Sequence, residues 1–144
     1  QFPDNGFQKN GLISFDNIEA QAKKVIEKFN VVTPGPDAKA SSLSGGNLQK
    51  FVIGREILSK PKLLIISHPT WGIDAGAEHA IRQSLIDLAK NGTSIIVISQ
   101  DLDELIEITH RLSVIFNGKL SKSYDTREIS ISQIGLLMGG HKVD

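Results

Sequence analysis

The chain has 144 residues, with 16 Lys and Arg against 16 Asp and Glu and no cysteine, which is enough length for one domain with a real core. The zero net charge and the lack of a basic run argue against nucleic acid as a partner. Without cysteine there is no disulfide framework and no thiolate metal site, which fits a reducing cytoplasm. No apolar stretch approaches the roughly 20 residues that span a bilayer. No secretory leader is visible and the first residue is Gln1, not Met, so a segment of a longer protein is expected.

In chain order, residues 1–15 are rich in Gly and Asn and read as loop. Asp16 with Glu19 has the capping-box arrangement. Ile18, Ala22, Val25, Ile26 and Phe29 follow at helical spacing, and this helix should end near Asn30. Thr33-Pro34-Gly35-Pro36-Asp37 breaks any continuation. A second helix begins near Gly45, carries Leu48, Phe51, Val52 and Ile57 toward a core, and ends at Lys60-Pro61. Leu63–Ile66 is short and fully apolar, as in a strand buried on both faces. A helix follows over roughly Ala75–Lys90, closed by Asn91-Gly92. Ile95–Ile98 reads as a second buried strand, and Asp101–Thr109 as a helix capped by Asp101. Leu112–Phe116 and Lys119–Ser121 form a predicted hairpin around Asn117-Gly118. Ser130 or Ser132 caps a last helix carrying Ile134, Leu136, Leu137 and Met138. Strand alternating with helix predicts an α/β fold with a mostly parallel sheet and right-handed crossovers. Residues 1–60 are helical and stand outside that alternation.

Leu43-Ser44-Gly45-Gly46-Asn47-Leu48-Gln49-Lys50 places a hydroxyl and two glycines where the second helix begins. Helix starts carry unpaired N–H groups and the positive end of a dipole, so they attract phosphate. Glycines let a ligand approach the backbone. Ser44 also suits an ordinary N-cap. In its wider context this run resembles the LSGGQ signature of ATP-binding-cassette (ABC) proteins. Lys62–Ile66 followed by Ser67-His68-Pro69-Thr70-Trp71-Gly72-Ile73-Asp74 resembles the family's Walker B strand, its P-T-x-G-[LI]-D turn and its D-loop. Ser94–Asp101 is similar to the strand that carries the switch histidine. LSGGNLQK, PTWGID, SQDLDEL and the terminal IGLLMGG look most like the second cassette of a tandem importer ATPase of the simple-sugar and nucleoside group. The resemblance implies a helical signature subdomain over residues 1–60. It implies part of a RecA-like P-loop NTPase core over residues 61–144.

The resemblance also implies roles for individual positions. The signature works in trans on ATP held by the Walker A loop of a partner cassette. Ser44 would donate its hydroxyl to the γ-phosphate and Gly46 a backbone N–H, with Gly45 between them. Gln49 is a further ATP candidate or a solvated helix position. The Walker B Asp and Glu positions hold Ser67 and His68. Serine is a poor substitute for a carboxylate near magnesium, so no metal ligand is expected here. His68 could act as a base or be a remnant of a site where hydrolysis no longer occurs. Gln100 stands at the switch-histidine position and carries neither proton nor charge. Asp74 matches the D-loop aspartate and also reads as an N-cap. Trp71 is a surface cap or an interface residue. His79 and His110 have no metal-ligand spacing.

On this resemblance the chain is expected to be part of the ATP-binding subunit of an importer for nucleosides or simple sugars. Its cofactors would be ATP and, in the full assembly, Mg2+. Its partners would be the first cassette of the same protein, membrane permease subunits and an extracytoplasmic solute-binding protein. Its place would be cytoplasmic, on the inner face of the membrane. The competing expectation is a non-catalytic regulatory or assembly module. A cassette acting on ribosomes or DNA is a third. The chain contains no G-x-x-x-x-G-K-[ST] run, the loop that cradles ATP phosphates. By itself it is therefore expected to bind ATP weakly or not at all, and titration calorimetry showing saturable micromolar binding would contradict this.

Overall fold

The structure, a computed structural model, describes residues 8–9 and 12–143. Two short strands, β1 (Gln8–Lys9) and β2 (Leu12–Ile13), pair antiparallel. Helix α1 spans Phe15–Lys28 and helix α2 Gly45–Leu58. Strand β3 (Leu63–Ser67) leads through helix α3 (Ala75–Lys90) to strand β4 (Ser94–Ile98). These two strands pair parallel, from Leu63 opposite Ser94 to Ser67 opposite Ile98. Helix α4 (Leu102–Ile108) follows. Strands β5 (Arg111–Leu112) and β8 (Tyr124–Asp125) pair antiparallel around the hairpin of β6 (Ile115–Phe116) and β7 (Lys119–Leu120), and helix α5 (Ile131–Met138) ends the order. The fold is α/β, and its parallel part is the β3–α3–β4 crossover. Among the described residues, no helix is long and apolar enough to cross a membrane.

Local chemistry sets the helix limits. Ser44, Asp74, Asp101 and Ser130 each accept a backbone N–H from three residues on, satisfying groups that a helix start leaves unpaired. Ser130, not Ser132, caps α5, and Gln133 completes a capping box with it. Gly92 after α3 has φ +96°, a conformation that glycine adopts freely. Asn117 and Gly118 both have positive φ, as a two-residue turn between twisted strands requires.

The main core joins Val25 of α1 and Phe29 just after it, Ile53 and Ile57 of α2, Leu64 and Ile66 of β3, and Ile81, Leu85 and Leu88 of α3. A second cluster gathers Leu112, Ile129, Ile134 and Leu137.

Several expectations need correction. The loop expected over residues 1–15 contains the β1–β2 pair, while its residues 1–7 and 10–11 lie outside the described residues. The Asp16–Glu19 capping box does not form, because α1 starts two residues earlier behind Ser14, which makes no side-chain cap. Glu19 instead pairs with Lys23 at 2.6 Å. Leu48 and Val52 are exposed, because α2 turns the face bearing Lys50, Ile53 and Ile57 inward. The two parallel strands are not buried on both faces. Leu64 and Ile66 enter the core, whereas Leu63, Ile65, Ile96 and Ile98 are exposed, since the core helices pack on the other face. The hairpin is tighter than expected, because Leu112 leaves it to pair with Tyr124.

A Cβ on Gly54 of α2 would overlap the buried ring of Phe29, the C-cap residue of α1. Overpacking costs about 1–3 kcal/mol, against a gain of about 1 kcal/mol in helix propensity for Gly to Ala. Gly54→Ala is therefore expected to be destabilising, by up to about 2 kcal/mol in urea unfolding, and a stabilised variant would contradict this packing.

Candidate functional site

The start of α2 and the turn after β3 meet. Ser44 is exposed and caps α2, its Oγ accepting from the Asn47 backbone N–H at 3.4 Å and from Asn47 Nδ2 at 3.0 Å. A Cβ on Gly45 would stand in open space. One on Gly46 would lie 2.8 Å from the Gly72 carbonyl oxygen, so no side chain fits there while the turn keeps its place. Gln49 reaches back to the same turn, its Nε2 donating to the His68 carbonyl at 3.1 Å. Its amide is thus engaged within the chain and half-buried. Asn47 Oδ1 accepts from the Val32 N–H at 2.8 Å, which fastens the segment after α1 to the helix start.

His68 turns the chain out of the sheet at φ +47°, in the left-handed region that a non-glycine residue rarely enters. Its N–H still donates to the Ile98 carbonyl at 2.8 Å, and its own carbonyl accepts from Trp71 N–H at 3.2 Å. Pro69 is buried and Trp71 is 83% exposed. The turn ends at Asp74, whose two oxygens have different partners. Oδ1 accepts from the Ala77 N–H at 2.9 Å and caps α3. Oδ2 accepts from Lys50 Nζ at 3.2 Å. The Ala77 backbone N–H and the Lys50 ammonium hold the Asp74 carboxyl below the usual carboxylate range.

On the other side of the turn, His68, Thr70, Trp71 and Gly72 border a cleft of about 430 Å³ with Gln100, Asp101 and Glu104. The structure thus brings His68 and Gln100 to one cleft, while Ser44, Gly45 and Gly46 stand outside it at the start of α2. Glu104 is 1% exposed, and its Oε1 accepts from the Thr70 hydroxyl at 2.7 Å. Ser67, the last residue of β3, offers a neutral hydroxyl, and His68 an imidazole. Magnesium prefers carboxylate and water oxygens, so these donors do not fit it. Among the described residues, no cluster of His, Cys, Asp and Glu could hold a metal ion. His79 and His110 are exposed on separate segments.

Two participants escaped the sequence reading. Lys50 is buried, with its ammonium on Asp74 and on the Asn30 carbonyl at 2.9 Å. The available signal was a lysine three residues before Ile53 and seven before Ile57, on the apolar stripe of α2. Glu104 was hidden by its position three residues after Asp101, which reads as ordinary capping chemistry.

The depressed Asp74 carboxyl titrates below its unfolded value of about 3.9. The stability that it contributes is therefore complete above that value and is lost as pH falls through the folded pKa. Asp74→Asn keeps a good cap but loses the charge beside Lys50. The gap in urea midpoint between wild type and Asp74→Asn is expected to be open at neutral pH and to close below about pH 4. A gap independent of pH would contradict the Asp74–Lys50 pairing.

No protein-family model matches the chain. Over 133 residues it is 41% identical to the galactose/methyl galactoside import ATP-binding protein MglA of Escherichia coli O6:K15:H31, covering 92% of the chain and 26% of that protein. Over 126 residues it is 42% identical to the protein of the same name from Sodalis glossinidius, covering 88% and 25%. The chain thus spans about a quarter of the length of these relatives. Among solved structures it superposes on an ATP-binding cassette determined as a dimer in a post-hydrolysis state with ADP and phosphate. That match has a TM-score of 0.71 and 21% identity, over 87% of the chain and 54% of the cassette. A nucleotide-free cassette from an ABC transporter matches with a TM-score of 0.60 and 27% identity, over 76% of the chain and 43% of the cassette. Sequence relatives and fold agree, and the chain belongs to the ATP-binding-cassette proteins, as a stretch homologous to part of a sugar-import ATP-binding protein.

Proposed function

We propose that this chain supplies the signature side of a composite ATP site in an importer ATPase for simple sugars or nucleosides. The observation that carries the reading is the start of α2, where the Ser44 hydroxyl is exposed and the space beside Gly45 is open. A capped helix start with free approach to its backbone suits a phosphate presented from outside. Ser44 and the Gly46 N–H would meet the γ-phosphate of ATP held by a partner cassette, with Gln49 fixing the helix against the turn. Residues 1–60 would serve as the helical signature subdomain and residues 61–144 as part of the RecA-like core. Asp74 would face the partner cassette as the D-loop residue.

The chain's own strand end would be a degenerate site. Ser67 and His68 stand where carboxylates are needed, and Gln100 where a histidine is. Magnesium, with ATP the cofactor of the assembly, would be held by carboxylates of the partner cassette. The partners are the first cassette of the same protein, permease subunits in the membrane and an extracytoplasmic solute-binding protein, which places the subunit on the cytoplasmic face. The import role of relatives 41–42% identical to the chain supports this assignment.

The test is ATP turnover by the full-length subunit with its permease. Ser44→Arg fills the phosphate-facing space and is expected to lower turnover on the order of 10²-fold, as removal of a donor to a developing charge does. His68→Ala is expected to leave turnover within about twofold. Loss with His68→Ala in a folded, assembled complex would restore His68 as a base. No effect from either change would favour the regulatory or assembly module.

A further inference from the structure

Lys50 is the one lysine among the described residues that is buried. Its side chain is 7% exposed, against 65% for that of its partner Asp74. An ammonium in such a place is unfavourable unless fixed partners replace its water. Both partners that Lys50 has here are fixed. The Asn30 carbonyl lies just beyond the end of α1, in a residue held at φ +48°. The Asp74 carboxylate is pinned by capping α3. One ammonium therefore ties together the end of α1, the body of α2 and the start of α3. The Gln49–His68 hydrogen bond and the close approach of Gly46 to the Gly72 carbonyl brace the same junction.

We propose that Lys50 is a positioning residue that clamps the Ser44-Gly45-Gly46 helix start and the His68–Asp74 turn into one rigid unit, so that the two segments move together. What that unit faces rests on the composite-site reading of the previous subsection; the clamp itself does not. Charge is essential to it, because an apolar stem of the same length would fill the space but hold neither the Asp74 carboxylate nor the Asn30 carbonyl.

The experiment uses the full-length subunit assembled with its permease. It compares wild type with Lys50→Met, which keeps the stem, and Lys50→Arg, which keeps the charge. Amide hydrogen exchange is followed in peptides covering residues 44–50, 68–77 and 131–138. Lys50→Met is expected to speed exchange at least about tenfold in the first two segments and to leave the third unchanged. Lys50→Arg is expected to restore protection. In ATP turnover, Lys50→Met should lower kcat while KM for ATP stays within about twofold, since a partner cassette holds the nucleotide. In hydrogen exchange, adding Asp74→Asn to Lys50→Met should loosen residues 44–50 no further, as for two members of one interaction. If Lys50→Met fails to assemble, Asp74→Asn alone is expected to loosen residues 44–50, and unchanged exchange there would overturn the clamp.

Faster exchange across all three segments with a parallel fall in Tm would mean that Lys50 is merely structural. Unchanged exchange in residues 68–77 would also overturn the clamp. The Ser44→Arg control separates the two ideas. Normal turnover in Ser44→Arg with joint loosening in Lys50→Met sinks the composite site and leaves the clamp standing. Lost turnover in Ser44→Arg without joint loosening does the reverse.

Discussion

Parallel pairing of β3 with β4 is the constraint on which the candidate site depends. Antiparallel strands would send their following segments to opposite edges. Two parallel strands joined through α3 end side by side, with Ser67 opposite Ile98. The chain leaving β3 and the chain leaving β4 are therefore delivered to one edge. Ligands of open α/β sheets bind at that carboxyl edge. The His68 N–H carries the ladder one step further onto the Ile98 carbonyl before the backbone turns away. Every residue bordering the cleft lies in one of these two exits or in the helices α3 and α4 that follow them.

The second organising feature is the density of helix ends around the turn. The start of α2, the end of α1 and the start of α3 converge on residues 68–74. Each end brings backbone groups that lack partners within its helix. The sequence answers with short polar side chains that serve two masters: Asp74 caps α3 and receives Lys50, and Asn47 bonds both Ser44 and Val32. Lys50 is the buried member of this junction, so loss of its carboxylate partner would leave a buried ammonium short of one acceptor.

Much of this was legible in the residues. The helices from Gly45 and Ala75 and the turn at Asn117-Gly118 carry strong local signals, and the structure places them within a residue or so of the expectation. Local reading failed where a choice depended on distant partners. A four-residue apolar run says that a strand will be buried, but not on how many faces. In β3 and β4 only one face is covered among the described residues. Asp16–Glu19 has the letters of a capping box, yet Glu19 found Lys23 one helical turn on. The role of Lys50 was illegible for a similar reason. A lysine on an apolar stripe is a local anomaly whose meaning lies 20 residues back at Asn30 and 24 residues on at Asp74.

The two glycines that open α2 look interchangeable in the sequence, and the structure gives them separate meanings for genetics. Gly46 has no room for a side chain because the Gly72 carbonyl occupies it. An inactivating allele at position 46 would displace the turn whether or not any phosphate ever approached. Gly45 meets nothing within 4 Å, so the molecule itself has no steric objection to alanine there. A defect confined to an alanine allele at 45 would therefore report on a visiting molecule, and one at 46 on the architecture as well.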